Sequence, residues 1–137
     1  QQAISHLQAI ADSLSAGGIY VLGLHLSPTR GSPVDSESWS ARRGHLAVRA
    51  SIRLAERDLS GRREDYKMTY DIWTPTAQMQ VHDEFSFRTY TADQFLELVE
   101  EAGSLRIEAS YDFQYDPDRP IELDGWSEDV VFILTKN

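Results

Sequence analysis

The chain opens with a helical pattern, which two glycines end and an apolar strand follows. Apolar residues recur every three or four positions, on one face of a helix: Ile4, Leu7, Ile10, Ala11 and Leu14. Gly17 suits the left-handed position after such a helix. The run Ile19–Leu26 is almost wholly apolar, which is typical of a strand buried on both faces of a parallel sheet. This unit belongs to an α/β sheet, yet in such sheets several strands normally come before it.

The middle of the chain changes to a pattern with a period of two. Residues 27–44 are rich in Ser, Gly, Pro and Arg and are predicted to form a loop, with Trp39 as its only large apolar anchor. Three segments with alternating apolar residues follow, separated by short turns: Leu46–Leu54, Tyr66–Ile72 and Met79–Phe87. This pattern predicts an antiparallel meander. In its first strand, Arg49, Arg53 and Arg57 are predicted to share the face opposite the apolar residues.

The last third returns to alternating helix and strand signals. Thr91 and Gln94 form a capping box, in which each side chain bonds the other residue's backbone, and Gly103 is predicted to end that helix. An alternating strand is predicted up to Phe113, and an acidic loop over residues 114–128. The apolar run Val130–Leu134 predicts a final buried strand.

The composition limits the classes of function. The 137 residues carry a net charge of −9, and residues 82–137 hold 14 acidic and 4 basic side chains, which argues against nonspecific nucleic-acid binding. With no cysteine, the chain cannot form disulfides, and we expect a cytoplasmic protein. No apolar run approaches the ~20 residues that span a bilayer, so no membrane partner is expected.

The order of these elements resembles the C-terminal half of a class I S-adenosylmethionine-dependent methyltransferase. Four segments carry the resemblance, and residues 30–80 lie outside it: Leu14–Leu22, Arg88–Phe95, Glu101–Gly103 and Val130–Lys136. The chain has Ala16 where the family usually has proline, and Ser104 where it usually has an aromatic residue.

The resemblance implies an α/β fold: a partial Rossmann-like methyltransferase sheet, made of its last three strands, with an antiparallel β-meander insertion. Residues 19–26, 105–113 and 130–135 would be the fifth, sixth and seventh strands, with the seventh antiparallel between the other two. Residues 1–137 would form a single domain, the C-terminal part of a methyltransferase domain, with residues 30–88 as the insertion. The cofactor would be S-adenosylmethionine. No glycine-rich turn of the cofactor-binding kind occurs in the sequence, so we expect no cofactor-binding residue in this chain.

Four residues are predicted to contact a small-molecule substrate: His25, Ser27, Trp39 and Arg88. His25 and Ser27 come at the end of the first strand, where open α/β sheets bind ligands. A hydrogen-bonded histidine at a strand end, and core packing of the aromatic residue, are the alternatives. His82, Asp83 and Glu84 provide too few ligands at a recognisable spacing, so no metal site is predicted. No catalytic residue can be assigned from the sequence.

The sequence therefore predicts methyl transfer from S-adenosylmethionine to a small molecule, with this chain as the C-terminal, substrate-side part. The alternative is a stand-alone α+β module that binds a small ligand or dimerises without catalysis. A homodimer is expected, because Ile19–Leu26, if it is the fifth strand, lacks its usual neighbour and leaves an open edge.

Overall fold

The structure, a computed structural model, describes residues 1–31 and 36–137. The chain folds as two compact units, of which the first holds Gln1–Gly31 and Tyr90–Asn137 and the second Ser32–Thr89. The part of the predicted loop at residues 32–35 lies outside the described residues. The second unit takes up nearly the same stretch as the predicted insertion at 30–88, and the assignment of residues 1–137 to a single domain stays a prediction.

The first unit contains both helices and three strands, whereas the described part of the second contains strands alone. In chain order they are α1 (Gln2–Ser13), β1 (Ile19–His25), β2 (Ser36–Arg43), β3 (Leu46–Asp58), β4 (Arg63–Trp73), β5 (Gln78–Arg88), α2 (Ala92–Ala102), β6 (Leu105–Asp112) and β7 (Asp129–Lys136).

The first unit contains a three-stranded sheet in the order β1-β7-β6. Both outer strands run antiparallel to β7, so they are parallel to each other. This is the arrangement that the resemblance predicted for the fifth, seventh and sixth strands, and it is confirmed.

The core of the first unit lies between this sheet and the two helices. Its fully or nearly fully buried apolar residues come from both layers: Leu7, Ala11, Leu26, Phe95, Val99, Leu105, Val130, Phe132 and Leu134. The rings of Phe95 on α2 and Phe132 on β7 lie 4.4 Å apart between centroids. Alternate residues of β7 therefore attach the sheet to the helices.

Strand β1 is buried less than the sequence predicted. Ile19 and Val21 are 57% and 59% exposed, whereas Tyr20, Leu22 and Leu24 are half-buried against the core. The prediction of burial on both faces was wrong for this chain because β1 is an outer strand and the helices pack on the opposite face from Ile19 and Val21.

The end of α1 lies slightly before the predicted glycine. Leu14 already has an extended backbone, and its carbonyl accepts a hydrogen bond of 2.9 Å from the Lys136 ammonium. Gly17 does adopt the left-handed conformation, with φ 73°, but in the turn after the helix. A cation at the helix end complements its partial negative charge, so Lys136 joins α1 to the last strand.

Helix α2 begins and ends as its sequence predicts. The Thr91 hydroxyl accepts from Gln94 N at 3.3 Å, and the Gln94 side chain accepts from Thr91 N at 3.1 Å. Gly103 ends the helix with φ 67°, in the left-handed region. These local signals specify both ends of the helix.

The second unit is a four-stranded antiparallel sheet in the order β2-β3-β4-β5. The predicted loop over residues 27–44 was wrong from Ser36 to Arg43, which form β2 and pair with β3. All eight residues of β2 are exposed, so the strand depends on backbone pairing and has no apolar pattern to reveal it.

A bulge between Leu54 and Glu56 changes the direction of the residues that follow in β3. Beyond it Arg57 pairs with Glu64, so the prediction that Arg57 shares a face with Arg49 and Arg53 was wrong. A bulge adds one residue to one strand and so reverses the alternation. Arg57 Nε lies 3.1 Å from Oε1 of the fully buried Glu64, and the Tyr66 hydroxyl donates to Glu64 Oε2 at 2.8 Å.

Large apolar side chains of the second unit remain exposed on one face of its sheet. By strand register they share the face of Ala50 and Tyr66, and each is 46–50% exposed: Trp39, Met79, Val81 and Phe87. The Phe85 and Phe87 rings pack 5.1 Å apart on this face. We call these four exposed residues, Trp39, Met79, Val81 and Phe87, the apolar patch of the second unit.

Among the described residues, no helix is both long and apolar enough to cross a membrane.

The left-handed cap at Gly103 provides a test of the first unit. A Cβ at this position would meet only the Glu100 carbonyl oxygen, at 3.9 Å, so a substitution is strained by the backbone and not by a clash. We expect Gly103→Val to lower the free energy of unfolding by roughly 1 kcal/mol or more, because a β-branched residue does not readily adopt this conformation. Urea melts of both proteins measure the difference.

The matched control is Gly103→Asn, because asparagine adopts the left-handed conformation more readily than other side chains do. Its loss should be smaller than that of the valine variant. Equal midpoints for wild type and Gly103→Val would contradict this account of the helix end.

Asp65 in β4 provides a test of the second unit. Two hydrogen bonds lower the pKa of the Asp65 carboxyl from 3.8 to about 2, and the one from Arg63 has a larger effect than the one from the Ser86 hydroxyl. Because the folded pKa lies below the unfolded one, the stability this carboxylate contributes is present above 3.8 and is lost as the pH falls toward 2. We expect Ser86→Ala to raise the pKa of Asp65, as followed by carbon NMR of the side-chain carboxyl. The control Ser38→Ala should leave the titration of Asp65 unchanged. If Ser86→Ala also leaves it unchanged, the Ser86 hydroxyl does not lower the pKa of Asp65.

Candidate functional site

The site lies where the chain leaves the carboxyl end of β1. There Leu26 N donates to the Glu128 carbonyl at 2.6 Å, and Ser27 N donates to the Tyr90 carbonyl at 2.8 Å. These two bonds hold the segment between the start of β7 and the start of α2. Leu26 and Ser27 are 0% and 2% exposed, so the backbone here is fixed within the core.

His25 is the best-placed reactive side chain at this strand end. Strand register sets it opposite Asp129, and its Nδ1 lies 2.8 Å from Asp129 Oδ1. An ionised carboxylate can only accept a hydrogen bond, so Nδ1 is the ring nitrogen that carries the proton. Nε2 lies 3.8 Å from Glu128 Oε1. About a third of the His25 side chain is exposed, so it is both oriented and accessible.

A cavity of about 180 Å³ lies in the same unit, between the segment after β1 and the start of α2. Its lining is mostly polar: Ser27, Thr29, Arg30, Thr91, Ala92, Asp93, Asp124 and Gly125. Thr29 N and Arg30 N both donate to the Gly125 carbonyl, at 2.9 and 2.8 Å, which closes one side. A Cβ on Gly125 would approach Thr29 Oγ1 to 2.8 Å, so a larger residue would force the neighbouring side chains to shift.

The four residues predicted to contact substrate fall into different units. His25 and Ser27 lie together at the end of β1. Trp39 lies on β2 and Arg88 at the end of β5, which are the two outer strands of the second sheet. Trp39 is half-exposed, and Arg88 Nη1 donates to the Gly61 carbonyl at 3.3 Å. The structure thus brings the first pair together but not the second, and all four roles stay predictions.

Sequence reasoning missed the two carboxylates that face His25. Glu128 and Asp129 were assigned only to the acidic loop and the boundary of the last strand. A partial signal was present, because the resemblance placed the last strand antiparallel beside β1, so its first residues were expected near the end of β1. Only the observed register sets Asp129 opposite His25.

The described residues do not fit S-adenosylmethionine by themselves. A nucleotide-type ligand in a Rossmann-like sheet needs a glycine-rich turn leading into a helix, and α2 instead follows Thr89, Tyr90 and Thr91. At the start of that helix, the Gln94 backbone N–H already donates a hydrogen bond to the Thr91 hydroxyl. For metals, the part of the chain that the structure describes has no group of three or more suitable side chains. His82 Nδ1 lies 3.2 Å from the Thr69 hydroxyl.

No protein-family model matches the sequence, and no curated protein does either. Solved structures do match the fold. S-adenosylmethionine-bound CalS10, an amino pentose methyltransferase from Micromonospora echinaspora, has a TM-score of 0.69 and 15% identity. The match covers 98% of this chain and 50% of that one.

Two further structures agree. A S-adenosylmethionine-dependent methyltransferase from Clostridium acetobutylicum ATCC 824 matches with a TM-score of 0.66 and 10% identity, over 96% of this chain and 50% of its own. The sugar N-methyltransferase KedS8 from Streptoalloteichus sp ATCC 53650 matches with a TM-score of 0.64 and 13% identity, over 98% and 48%. The chain therefore spans about half the length of these structures. The predicted fold, a partial methyltransferase-like α/β sheet with an antiparallel insertion, is confirmed.

Proposed function

We propose that this chain is the C-terminal, substrate-side part of a S-adenosylmethionine-dependent methyltransferase that acts on a small molecule. The strand order β1-β7-β6, with β7 antiparallel to both neighbours, is the observation that carries the proposal. It agrees with methyltransferase structures that this chain matches over nearly its whole length and about half of theirs. The cofactor site would lie mostly in residues outside this chain.

An amine is the acceptor that the charges favour. Carboxylates gather near the carboxyl end of β1, and they would attract a protonated amine while repelling an anionic acceptor: Asp93, Asp124, Glu128 and Asp129. Arg30 is the one basic side chain among the residues that line the cavity beside the start of α2. CalS10 is an amino pentose methyltransferase and KedS8 a sugar N-methyltransferase, which supports an amino sugar as the first acceptor to test.

The residues of this chain would act mainly by positioning the acceptor. Holding two reactants in line removes much of the entropic cost of their encounter. His25 and Ser27 are proposed at the acceptor in the first unit, and Trp39 and Arg88 as substrate contacts from the second. A cytoplasmic location is proposed as well.

A binding or dimerisation module without catalysis is the second candidate. The apolar patch of the second unit favours it, because exposed apolar side chains grouped on one sheet face commonly mark an interaction surface. This candidate predicts that the natural protein has no cofactor-binding half, which the next experiment tests.

Cofactor binding separates the two candidates. We expect the 137-residue chain to bind S-adenosylmethionine too weakly to measure by calorimetric titration, because it lacks the glycine-rich turn. The full-length natural protein should bind it and transfer its methyl group to an amino sugar, detected as S-adenosylhomocysteine. Micromolar binding by the chain alone would show that the cofactor site has been misplaced. A full-length protein that neither binds nor transfers would favour the module.

We also propose that the chain forms a two-fold dimer. β1 is an outer strand whose Ile19 and Val21 are more than half exposed, and the apolar patch adds a second surface. Closed two-fold pairing is the commonest way to cover a self-complementary surface. Sedimentation equilibrium over a wide concentration range should give twice the 15.6 kDa mass of the chain.

The variant Val81→Lys places a charge in the apolar patch and should weaken the dimer if that patch is buried in it. Gln80→Lys, one position along on the opposite face of β5, is the matched control. A monomer at high concentration would contradict the proposal, because the exposed edge and patch would then need no partner.

A further inference from the structure

We infer that the cavity between the segment after β1 and the start of α2 binds two adjacent hydroxyl groups of the acceptor. Arg30 would donate hydrogen bonds to these hydroxyls, and Asp93 and Asp124 would accept hydrogen bonds from them. This inference rests on the proposed function, because it assigns one part of the acceptor to a place in this chain. It goes beyond the choice of an amine, since it names the further groups of the acceptor and the side chains that select them.

The volume of the cavity limits what it can hold. Its 180 Å³ correspond to the volume of about six water molecules in the liquid. Pockets that enclose a whole drug-sized ligand are larger, roughly 300–1,000 Å³. The cavity therefore fits one edge of a sugar ring, and it is too small for a complete nucleotide.

The lining combines groups that only accept hydrogen bonds with a group that only donates them. An ionised carboxylate has no proton to donate, and a guanidinium has no lone pair with which to accept. Asp93 and Asp124 are of the first kind, and Arg30 is of the second. A hydroxyl donates one hydrogen bond and accepts others, so two adjacent hydroxyls can satisfy both kinds of group at once.

Ligand groups that carry a charge fit this lining less well. An ammonium bound to the two carboxylates would lie close to the Arg30 guanidinium, and a carboxylate bound to Arg30 would lie close to two like charges. Neutral hydroxyls avoid both conflicts. Among the described residues, neither the Arg30 guanidinium nor the Asp93 carboxylate is occupied by a hydrogen bond or an ion pair, so both can bind a ligand.

Local bonds hold two of these side chains in place. Arg30 N donates to the Gly125 carbonyl at 2.8 Å, and Arg30 Cγ lies 2.9 Å from the position that a Cβ on Gly125 would take. Asp124 Oδ1 accepts from Trp126 N at 2.9 Å and from the Ser127 hydroxyl at 3.2 Å. Both bonds end on Oδ1, so within the described part of the chain Oδ2 stays available to a ligand. A site whose groups are already oriented loses less entropy on binding.

A role in helix stability is the other explanation for Asp93. It lies in the first turn of α2, where a negative charge complements the partial positive charge of the helix end. Loss of that effect would lower the amount of folded protein and reduce the rate with every acceptor by the same factor. A change in the preference between two acceptors therefore reports contact with the ligand and not helix stability.

That preference is measured with the full-length natural protein and S-adenosylmethionine. One acceptor is a primary amino sugar with two adjacent hydroxyls, and the other is its dideoxy analogue, in which hydrogens replace both. We expect kcat/KM to be about 100-fold higher for the diol, because each lost hydrogen bond to a charged group costs about tenfold. Arg30→Gln and Asp93→Asn should each reduce this preference about tenfold. The matched controls Arg119→Gln and Asp118→Asn, in the exposed loop before β7, should keep the wild-type preference.

Nitrogen NMR of the Arg30 side chain tests binding without methyl transfer. The probes are methyl glucoside as a neutral polyol, ethylammonium as a cation and acetate as an anion. We expect the Arg30 Nε signal, identified by its absence in Arg30→Gln, to shift at a lower concentration of methyl glucoside than of either ion. Asp93→Asn should weaken the response to methyl glucoside. No shift with methyl glucoside, or a stronger response to either ion, overturns the inference.

The outcomes separate the inference from the function it rests on. A wild-type protein that methylates both acceptors without a preference for the diol overturns the inference and leaves the proposed function intact. A wild-type protein that methylates neither acceptor, yet shows the response to methyl glucoside, overturns the proposed function and leaves a polyol-binding cavity.

Discussion

The first unit depends on the position of β7 between β1 and β6. Both β1 and β6 form their backbone hydrogen bonds with this strand. Its side chains Val130, Phe132 and Leu134 are completely buried in the core beneath the helices. Burial of a side chain of this size stabilises the fold by about 1.5–3 kcal/mol. In the register of β7 with β1, its first residue, Asp129, lies opposite the last residue of β1, His25. The strand that forms the core thus also places Asp129 at His25.

The second unit is held together in a different way. It has no helix among its described residues, and its sheet is maintained by four paired strands and by a small buried polar cluster. Glu64 is completely buried with Arg57 and Tyr66 around its carboxylate. Removing one member of such a buried pair typically costs 3–5 kcal/mol, whereas exposed pairs such as Lys67–Glu84 contribute little. The bulge in β3 matters because it turns Arg57 onto the face of the sheet that carries Glu64.

The site combines rigid backbone with accessible chemistry. Leu26 and Ser27 are buried and bonded to the chain on both sides, whereas the side chain of His25 is a third exposed. A side chain on a fixed backbone keeps its position, which a binding site requires. The acidic character of the C-terminal residues, noticed first as a charge imbalance, takes a specific form here as two carboxylates facing one imidazole.

The sequence by itself determined the elements whose signals are local. The apolar spacing of α1, the capping box and Gly103 of α2, and the alternation of β3, β4 and β5 each depend on residues within one turn or strand, so all were predictable. Strand β2 was missed because its eight exposed side chains carry no burial pattern.

Only the tertiary structure decided the features that depend on pairing between distant segments. The bulge that redirects Arg57 exists only relative to β4, and the exposure of Ile19 and Val21 follows from the outer position of β1. His25 and Asp129 are 104 residues apart in sequence, and the register of two antiparallel strands brings them to 2.8 Å. Such contacts are set by where whole strands pack against one another, which no local pattern of residues records.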